Sequence, residues 1–374
     1  MNKKNKQIFF IIAGESSGDY HGSKLMHYMK NINTSIEFQG IGGSLMEAKG
    51  LRSLVPLKKL AVMGFWEVLK KLFFFLSLEK KILQHIKKTR PDKIVLIDYP
   101  GLNLRLSKKI KSKFNIPIIY YISPQVWAWK EKRVYTIKKY VDKLIVLFPF
   151  EKKWYERYQI PVKYFGHPLI YEAKQYQYRR PTKQKIYNIA FCPGSRADEL
   201  KQHLPIFEQV MKQQKMIKTS INITIVKAAN ANSKSFHSLL QNYDNIKITE
   251  KPLLEALQKC DLAVISSGTA TIECAATHIP MIVIYKMSWL SWIITKRFVK
   301  IQFAAMINVV ANKSIVPELL QGQLTPDNII AHLNLIINNI ESNILNNNLE
   351  NILGTLDGGN AHEQTSSYIL NYEK

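Results

Sequence analysis

Short apolar runs separated by amphipathic stretches organise the first half of the chain. Residues 7–13 (QIFFIIA), 93–97 (KIVLI), 116–122 (IPIIYYI) and 143–148 (KLIVLF) are each apolar nearly throughout and end at Gly, Asp, Ser or Pro. Runs this short, without alternation, read as buried strands. Between them, 78–89 and 103–113 repeat apolar residues at helical spacing. Strands alternating with helices predict a parallel sheet covered on both faces. Around 166–186 (GHPLIYEAKQYQYRRPTKQKI) the pattern breaks into a polar, Tyr-rich linker. A second series follows, with strands at 187–192, 221–227, 261–266 and 281–285 and helices at 198–215, 253–259 and 269–277. The reading is an α/β chain of two consecutive Rossmann-like domains, 1–168 and 169–326. Residues 327–374 read as C-terminal helices with an Asn-rich break at 346–348.

One stretch departs from the scheme. Over 62–76 (VMGFWEVLKKLFFFL), Phe65, Trp66, Leu69, Leu72, Phe73, Phe74, Phe75 and Leu76 nearly encircle a helix, ringed by Lys58, Lys59, Lys70, Lys71, Lys80 and Lys81. A helix apolar all round is buried or interfacial. Aromatics and leucines beside lysines have the composition of a membrane-surface helix. The pattern leaves core burial and membrane contact level. Residues 287–300 (MSWLSWIITKRFVK) form a second such stretch. No run reaches the ~18 apolar residues of a membrane span. The apolar run Ile8–Ile12 is short for a secretory signal and runs into Gly14-Glu15, so a cytoplasmic protein is expected.

Charge sharpens this picture. Lys and Arg number 53 against 28 acids, a net +25, and residues 1–168 hold 32 of the bases but 12 of the acids. A general lysine bias explains the total but not the asymmetry. A basic half suits a nucleic acid or an anionic membrane. The aromatics cluster with Leu and Ile instead of forming a spaced stacking platform, which disfavours a nucleic-acid-binding protein. Cys192, Cys260 and Cys274 have no metal-ligand spacing and suit a reducing compartment.

Four turns hold candidate chemistry. Gly14-Glu15-Ser16-Ser17-Gly18-Asp19 follows the first strand, where small residues admit a ligand and a helix start favours an anion; an ordinary βα turn reads the same way. Asp98 directly follows the strand 93–97, on the ligand side of an open α/β sheet. It can serve as a general base or as a helix-start acid. Pro193-Gly194-Ser195-Arg196 precedes a helix, where Arg196 either grips a diphosphate or pairs with Asp198 or Glu199. Ser267-Gly268-Thr269 joins a strand to a helix carrying Glu273, placed to accept from ribose hydroxyls. There is no Asp-x-Asp pair, no metal-spaced histidine group, no P-loop and no nucleophile elbow.

Taken together, AGESSGDYHG (13–22), MGFWEVL (63–69), IDYPGLN (97–103), SPQVWAWKEKRV (123–134), FPFEK (148–152), GHPL (166–169), PGSR with Glu199, SGTATIE (267–273), KRFVK (296–300) and Asn308 with VPELLQ (316–321) resemble the lipid-A-disaccharide synthases, in order and over nearly the whole chain. SPQVWAWK is the most specific of them. One departure is Gly101-Leu102, where the family usually carries an acid and an aromatic. The resemblance implies a GT-B glycosyltransferase, two Rossmann-like domains facing a cleft, needing no cofactor or metal. It implies inverting transfer from UDP-2,3-diacylglucosamine to 2,3-diacylglucosamine 1-phosphate at the cytoplasmic face of the inner membrane. Asp98 and Glu15 are then the catalytic pair. Gly14, Ser17, Asn103, Trp127, Asn308 and Glu318 become substrate contacts, and Gly194, Ser195, Arg196, Ser267, Gly268, Thr269 and Glu273 the UDP site. The helix 62–76 would meet the inner leaflet. The tail would pack back on the first domain or be exchanged in a homodimer. Other readings are a different GT-B transferase with a lipid-linked acceptor, or a UDP-sugar epimerase of the same fold.

Overall fold

The computed structural model describes residues 7–60, 72–178, 182–228, 231, 233–236, 245–289, 292–293, 302–340 and 343–373. The chain divides into two compact units, 1–168 with 358–374, and 169–357.

The first unit is a seven-stranded parallel sheet of β1 (Ile8–Ala13), β2 (Glu37–Ile41), β3 (Leu51–Ser53), β4 (Lys93–Ile97), β5 (Ile118–Tyr121), β6 (Lys143–Val146) and β7 (Val162–Tyr164). Its spatial order is β3-β2-β1-β4-β5-β6-β7. Phe10 lies beside Ile94 and Ile12 beside Leu96 across the central β1–β4 pair. Helices cover both faces, so the central strands are buried on both sides and read as unbroken apolar runs. The core gathers Phe10, Ile12, Ile94, Leu96, Ile118 and Tyr120 with Leu78, Ile82 and Ile86 of the helix Leu72–Thr89.

The second unit repeats the plan with β8 (Ile186–Cys192), β9 (Ser220–Val226), β10 (Ile246–Thr249), β11 (Leu262–Ser266), β12 (Met281–Tyr285) and β13 (Glu318–Leu320), ordered β10-β9-β8-β11-β12-β13 and parallel throughout. Phe191, Phe207, Ile225, Val264 and Ile284 anchor its core, joined by Ile329, Ile330 and Leu333 of the helix Pro326–Asn338.

Two expectations are corrected. The Asn-rich break at 346–348 is absent: those residues lie inside the helix Asn343–Leu356. Leu349, Leu353 and Leu356 recur at helical spacing and are buried, and that burial outweighs the modest helix penalty of three asparagines. The helices expected at 62–76 and 78–89 are, over the described residues, one helix from Leu72 to Thr89.

The last helix, Ala361–Asn371, belongs to the first unit and packs on the helix Ser16–Ile32. Ser366 Oγ donates to the Leu25 carbonyl at 3.0 Å. His21 Nδ1 lies 3.1 Å from His362 Nε2. Burial, then the neighbouring His362 and His167, hold the His21 imidazole well below its ordinary range. Lys93 Nζ donates to the Ile369 carbonyl at 3.0 Å and also to that of Leu370.

Candidate active site

In each sheet the strand order turns back at the first strand of the unit: β1 lies between β2 and β4, and β8 between β9 and β11. Open α/β sheets bind ligands outside the carboxyl ends of the strands at such a point. All four candidate turns fall there, two in each unit.

In the first unit, β1 runs into Gly14 and the exposed Glu15, Ser16 and Ser17. A Cβ on Gly14 would stand 2.2 Å from the Tyr99 ring, so only glycine lets that ring close on the turn. The Tyr99 hydroxyl donates to the Leu60 carbonyl at 2.9 Å. Burial, and then the Glu15 carboxylate, push its phenol up to about 12. Beyond β4, Asp98 and Tyr99 are both left-handed, with φ of 44° and 49°. Two such residues in succession cost energy and persist only where surroundings enforce them. The enforcer is Asn103, fully buried, whose Nδ2 donates to the carbonyls of Ile97 (3.2 Å) and Asp98 (2.7 Å). The Tyr120 hydroxyl also donates to the Asp98 carbonyl. Burial, and then the Asp98 carboxylate, hold the Tyr120 phenol well above its usual range. Asn103, expected to touch substrate, therefore holds the backbone turn that carries Asp98. Asp19 serves structure as well: its carboxylate accepts from Gly43, Leu45 and Met46 N–H at the start of the helix Ser44–Ala48.

Trp127 lies in the loop that follows β5. Its Nε1 donates to Glu151 at 3.0 Å, and Ser123 Oγ donates to the same carboxylate oxygen at 2.9 Å. The other oxygen accepts from Leu147 and Phe148 N–H, both at 3.2 Å. Burial pushes Glu151 up to about 7 against the pull of these four donors. Glu151 thus fastens the 123–129 loop. The sequence carried a signal for it, an acid three residues after the helix-start position Phe148.

In the second unit, β8 ends in the Pro193-Gly194-Ser195-Arg196 turn. Glu199 is buried and accepts from Ser195 N–H (3.0 Å) and Arg196 N–H (3.3 Å). Gly194 has φ 104°, and a Cβ there would fall 2.2 Å from Glu199 Oε2. Arg196 pairs with Glu199 at 3.1 Å while its side chain stays 61% exposed. Behind the turn, His203 Nε2 accepts from Lys286 N–H at 3.1 Å, so its Nδ1 carries the proton donated to the Pro193 carbonyl at 2.7 Å. Beyond β11, Gly268 and Thr269 are exposed, with open space above Gly268. Ser267 Oγ donates to the Ala304 carbonyl at 2.7 Å. Glu273 is half-buried, and burial, then Glu172, push it up to about 7.

Asn308 and Glu318 act as a pair. The Asn308 amide donates to Glu318 (2.7 Å) and the Val316 carbonyl (2.9 Å), and its oxygen accepts from Ile315 and Val316 N–H. Glu318 also accepts from Ala304 and Ala305 N–H, both at 2.9 Å. Both residues therefore hold the segment whose Ala304 carbonyl meets Ser267.

Of the apolar stretch, Phe65, Trp66 and Leu69 lie outside the described residues and Leu72 opens the helix. Phe73 is 82% exposed, Leu76 47% exposed and Phe74 half-buried, whereas Phe75 is 8% exposed and packs in the core. Phe75 is thus a core residue, because its place on the helix turns it towards the sheet. No described helix is long and apolar enough to cross a membrane. Among the described residues no group of three His, Cys, Asp or Glu side chains is placed to hold a metal ion.

The family model of lipid-A-disaccharide synthetases matches residues 9–367. The chain is 38% identical over 327 residues to lipid-A-disaccharide synthase 1 of Legionella pneumophila, covering 85% of this chain and 84% of that one. It is 33% identical over 381 residues to the lipid-A-disaccharide synthase of Coxiella burnetii, covering 98% of each. Among solved structures, the kitacinnamycin glycotransferase superposes with a TM-score of 0.66 at 14% identity, over 98% of this chain and 99% of that one. That likeness shows a shared fold, two Rossmann-like units of the GT-B glycosyltransferase type.

Proposed function

The chain belongs to the lipid-A-disaccharide synthetase family, and from that premise we propose that it transfers 2,3-diacylglucosamine from its UDP carrier to 2,3-diacylglucosamine 1-phosphate. The products are the β-1,6-linked tetraacyl disaccharide 1-phosphate and UDP. The observation that carries this reading is the pairing of chemistries at the two strand-order turning points, acids in the first unit and anion-friendly turns in the second.

Asp98 takes the proton of the acceptor 6-hydroxyl as that oxygen bonds to the anomeric carbon. The bond from that carbon to the diphosphate breaks, and UDP leaves with the electron pair. The transition state is oxocarbenium-like, with negative charge growing on the leaving diphosphate. Glu15, in a turn of small exposed residues, supports the acceptor with Gly14 and Ser17. Arg196, on the turn whose Ser195 and Arg196 N–H groups Glu199 holds in shape, meets the diphosphate charge with its exposed guanidinium, where a fixed donor stabilises a departing anion. Ser267, Gly268 and Thr269 line the UDP site, and Glu273 accepts from ribose hydroxyls. Phe73 and Leu76, with the basic first half, favour a peripheral place on an anionic membrane, where each well-placed cation adds about 1 kcal/mol.

The test is mass spectrometry of the product formed by purified protein from the two acylated substrates, with UDP measured alongside. The disaccharide 1-phosphate and UDP should appear together, and still appear in EDTA. UDP without disaccharide, or an epimerised sugar nucleotide, would overturn the proposal.

A further inference from the structure

The stretch SPQVWAWKEKRV ends in cations that the reaction above leaves without a task. Lys130 Nζ lies 4.4 Å from the centre of the Trp129 ring, and the Arg133 guanidinium carbon 5.5 Å from the same centre. Both are within cation–π range of one indole. Like charges held together repel, which disfavours the charged forms until an anion joins them. Among the described residues neither side chain has a carboxylate partner. Glu131, the one acid in the stretch, accepts from the Tyr158 hydroxyl at 2.7 Å. Arg133 is moreover half-buried. Burial pulls its guanidinium below the ordinary range, and burial with Arg133 does the same to Lys130.

The loop that presents these groups is fixed. Glu151 ties down Ser123 and Trp127, and the Tyr155 hydroxyl donates to the Pro124 carbonyl at 2.7 Å. It is also near the acid proposed as base. Tyr120, which donates to the Asp98 carbonyl, feels both the Asp98 carboxylate and the Arg133 guanidinium. The Arg133 charge is thus felt at Tyr120, whose hydroxyl meets the Asp98 carbonyl.

We propose that Lys130 and Arg133, set beside Trp129, form the subsite for the phosphate monoester of the acceptor and decide which end of the sugar faces Asp98. This rests on the acceptor assigned above. On that sugar the reacting 6-hydroxyl and the 1-phosphate stand at opposite ends of one ring. A phosphate subsite must therefore lie about a sugar's breadth from the base, with a side chain such as Tyr120 between. A guanidinium supplies paired donors to phosphate oxygens and the ammonium a point charge.

The experiment measures binding of 2,3-diacylglucosamine 1-phosphate and of its dephosphorylated counterpart in neutral detergent, by calorimetry, to wild type, Lys130→Gln and Arg133→Gln. Wild type should prefer the phosphorylated form by about 10- to 100-fold, and each substitution should cut that preference by about tenfold. Lys130 is exposed, so Lys130→Gln decides the matter if Arg133→Gln fails to fold. A wild type without preference, or variants that retain it, would overturn the subsite. So would variants that lose binding to phosphatidylglycerol vesicles while keeping the preference, since the cations would then serve lipid headgroups. Turnover is followed in parallel. Preference without product leaves the subsite standing and removes the transferase reading; product without preference does the reverse.

Discussion

Gly194→Ala tests the second unit's turn with a single methyl group. Two costs follow from the structure. At φ 104° an alanine is strained, by about 1–3 kcal/mol. Its Cβ would also stand 2.2 Å from Glu199 Oε2, so that carboxylate must leave. Glu199 then gives up its bonds to Ser195 and Arg196 N–H, and hydrogen bonds to a charged group are worth about 1.5–3 kcal/mol each. With the longer of the two at the weak end, the sum of strain and lost bonds is about 4–7.5 kcal/mol, or roughly 8–30 °C in Tm for a unit this size. Thermal unfolding followed by circular dichroism reads the stability, and calorimetry reads UDP affinity, which should fall because Glu199 no longer holds the turn that presents Arg196 to the diphosphate. The two costs separate in a double-mutant cycle. In a Glu199→Ala background the 2.2 Å collision is gone and only a 3.0 Å approach to the Cβ of residue 199 remains, so Gly194→Ala should cost little beyond the backbone strain. A Gly194→Ala protein within about 2 °C of wild type, or the same loss in both backgrounds, would refute the reasoning.

Asp98→Asn should lower kcat by about 10²–10⁴-fold and leave UDP affinity unchanged in calorimetry; near-normal turnover there with a large loss in Glu15→Gln would exchange the two roles. Replacing Phe73 and Leu76 by Ser should weaken vesicle flotation while Tm holds, whereas Phe75→Ser should lower Tm, since only Phe75 is in the core. Glu151 titrates about 7 against an ordinary 4.5. A carboxyl raised on folding contributes most below 4.5, and that contribution is lost as pH rises through about 7. Glu151→Gln should therefore flatten the fall in Tm over that window; an unchanged slope would move its cause to another group.

The strands legible in the sequence were the central ones. Runs such as KIVLI and MIVIY are buried on both faces and carry no competing signal. The strands missed were EFQGI, LRS, VKY, IKIT and ELL. Four of these, β3, β7, β10 and β13, are sheet edges, where short length and polar residues are tolerated. For β2 the apolar pattern is interrupted by Gln39 and Gly40. The candidate turns were visible because glycine and serine clusters break hydrophobic runs. What could not be read was the division of labour behind them. Asn103, Asn308 and Glu318 look like polar residues waiting for a substrate, yet Asn103 bonds the Ile97 and Asp98 carbonyls, and Asn308 and Glu318 bond each other and nearby backbone groups. Glu151 meets Trp127 across 24 positions, a distance no local pattern encodes.

The path of the chain has a consequence for its birth on the ribosome. The helix Ala361–Asn371, which packs on the helix Ser16–Ile32 and bonds the Leu25 carbonyl through Ser366, is made only after the whole of 169–357. At about 5–20 residues per second the wait is roughly 10–40 s. During that time the nascent first unit has every strand of its sheet but not the helix that packs on Ser16–Ile32. A ribosome that stops short of residue 361 therefore leaves the first unit incomplete, even though every strand of both sheets has already been made.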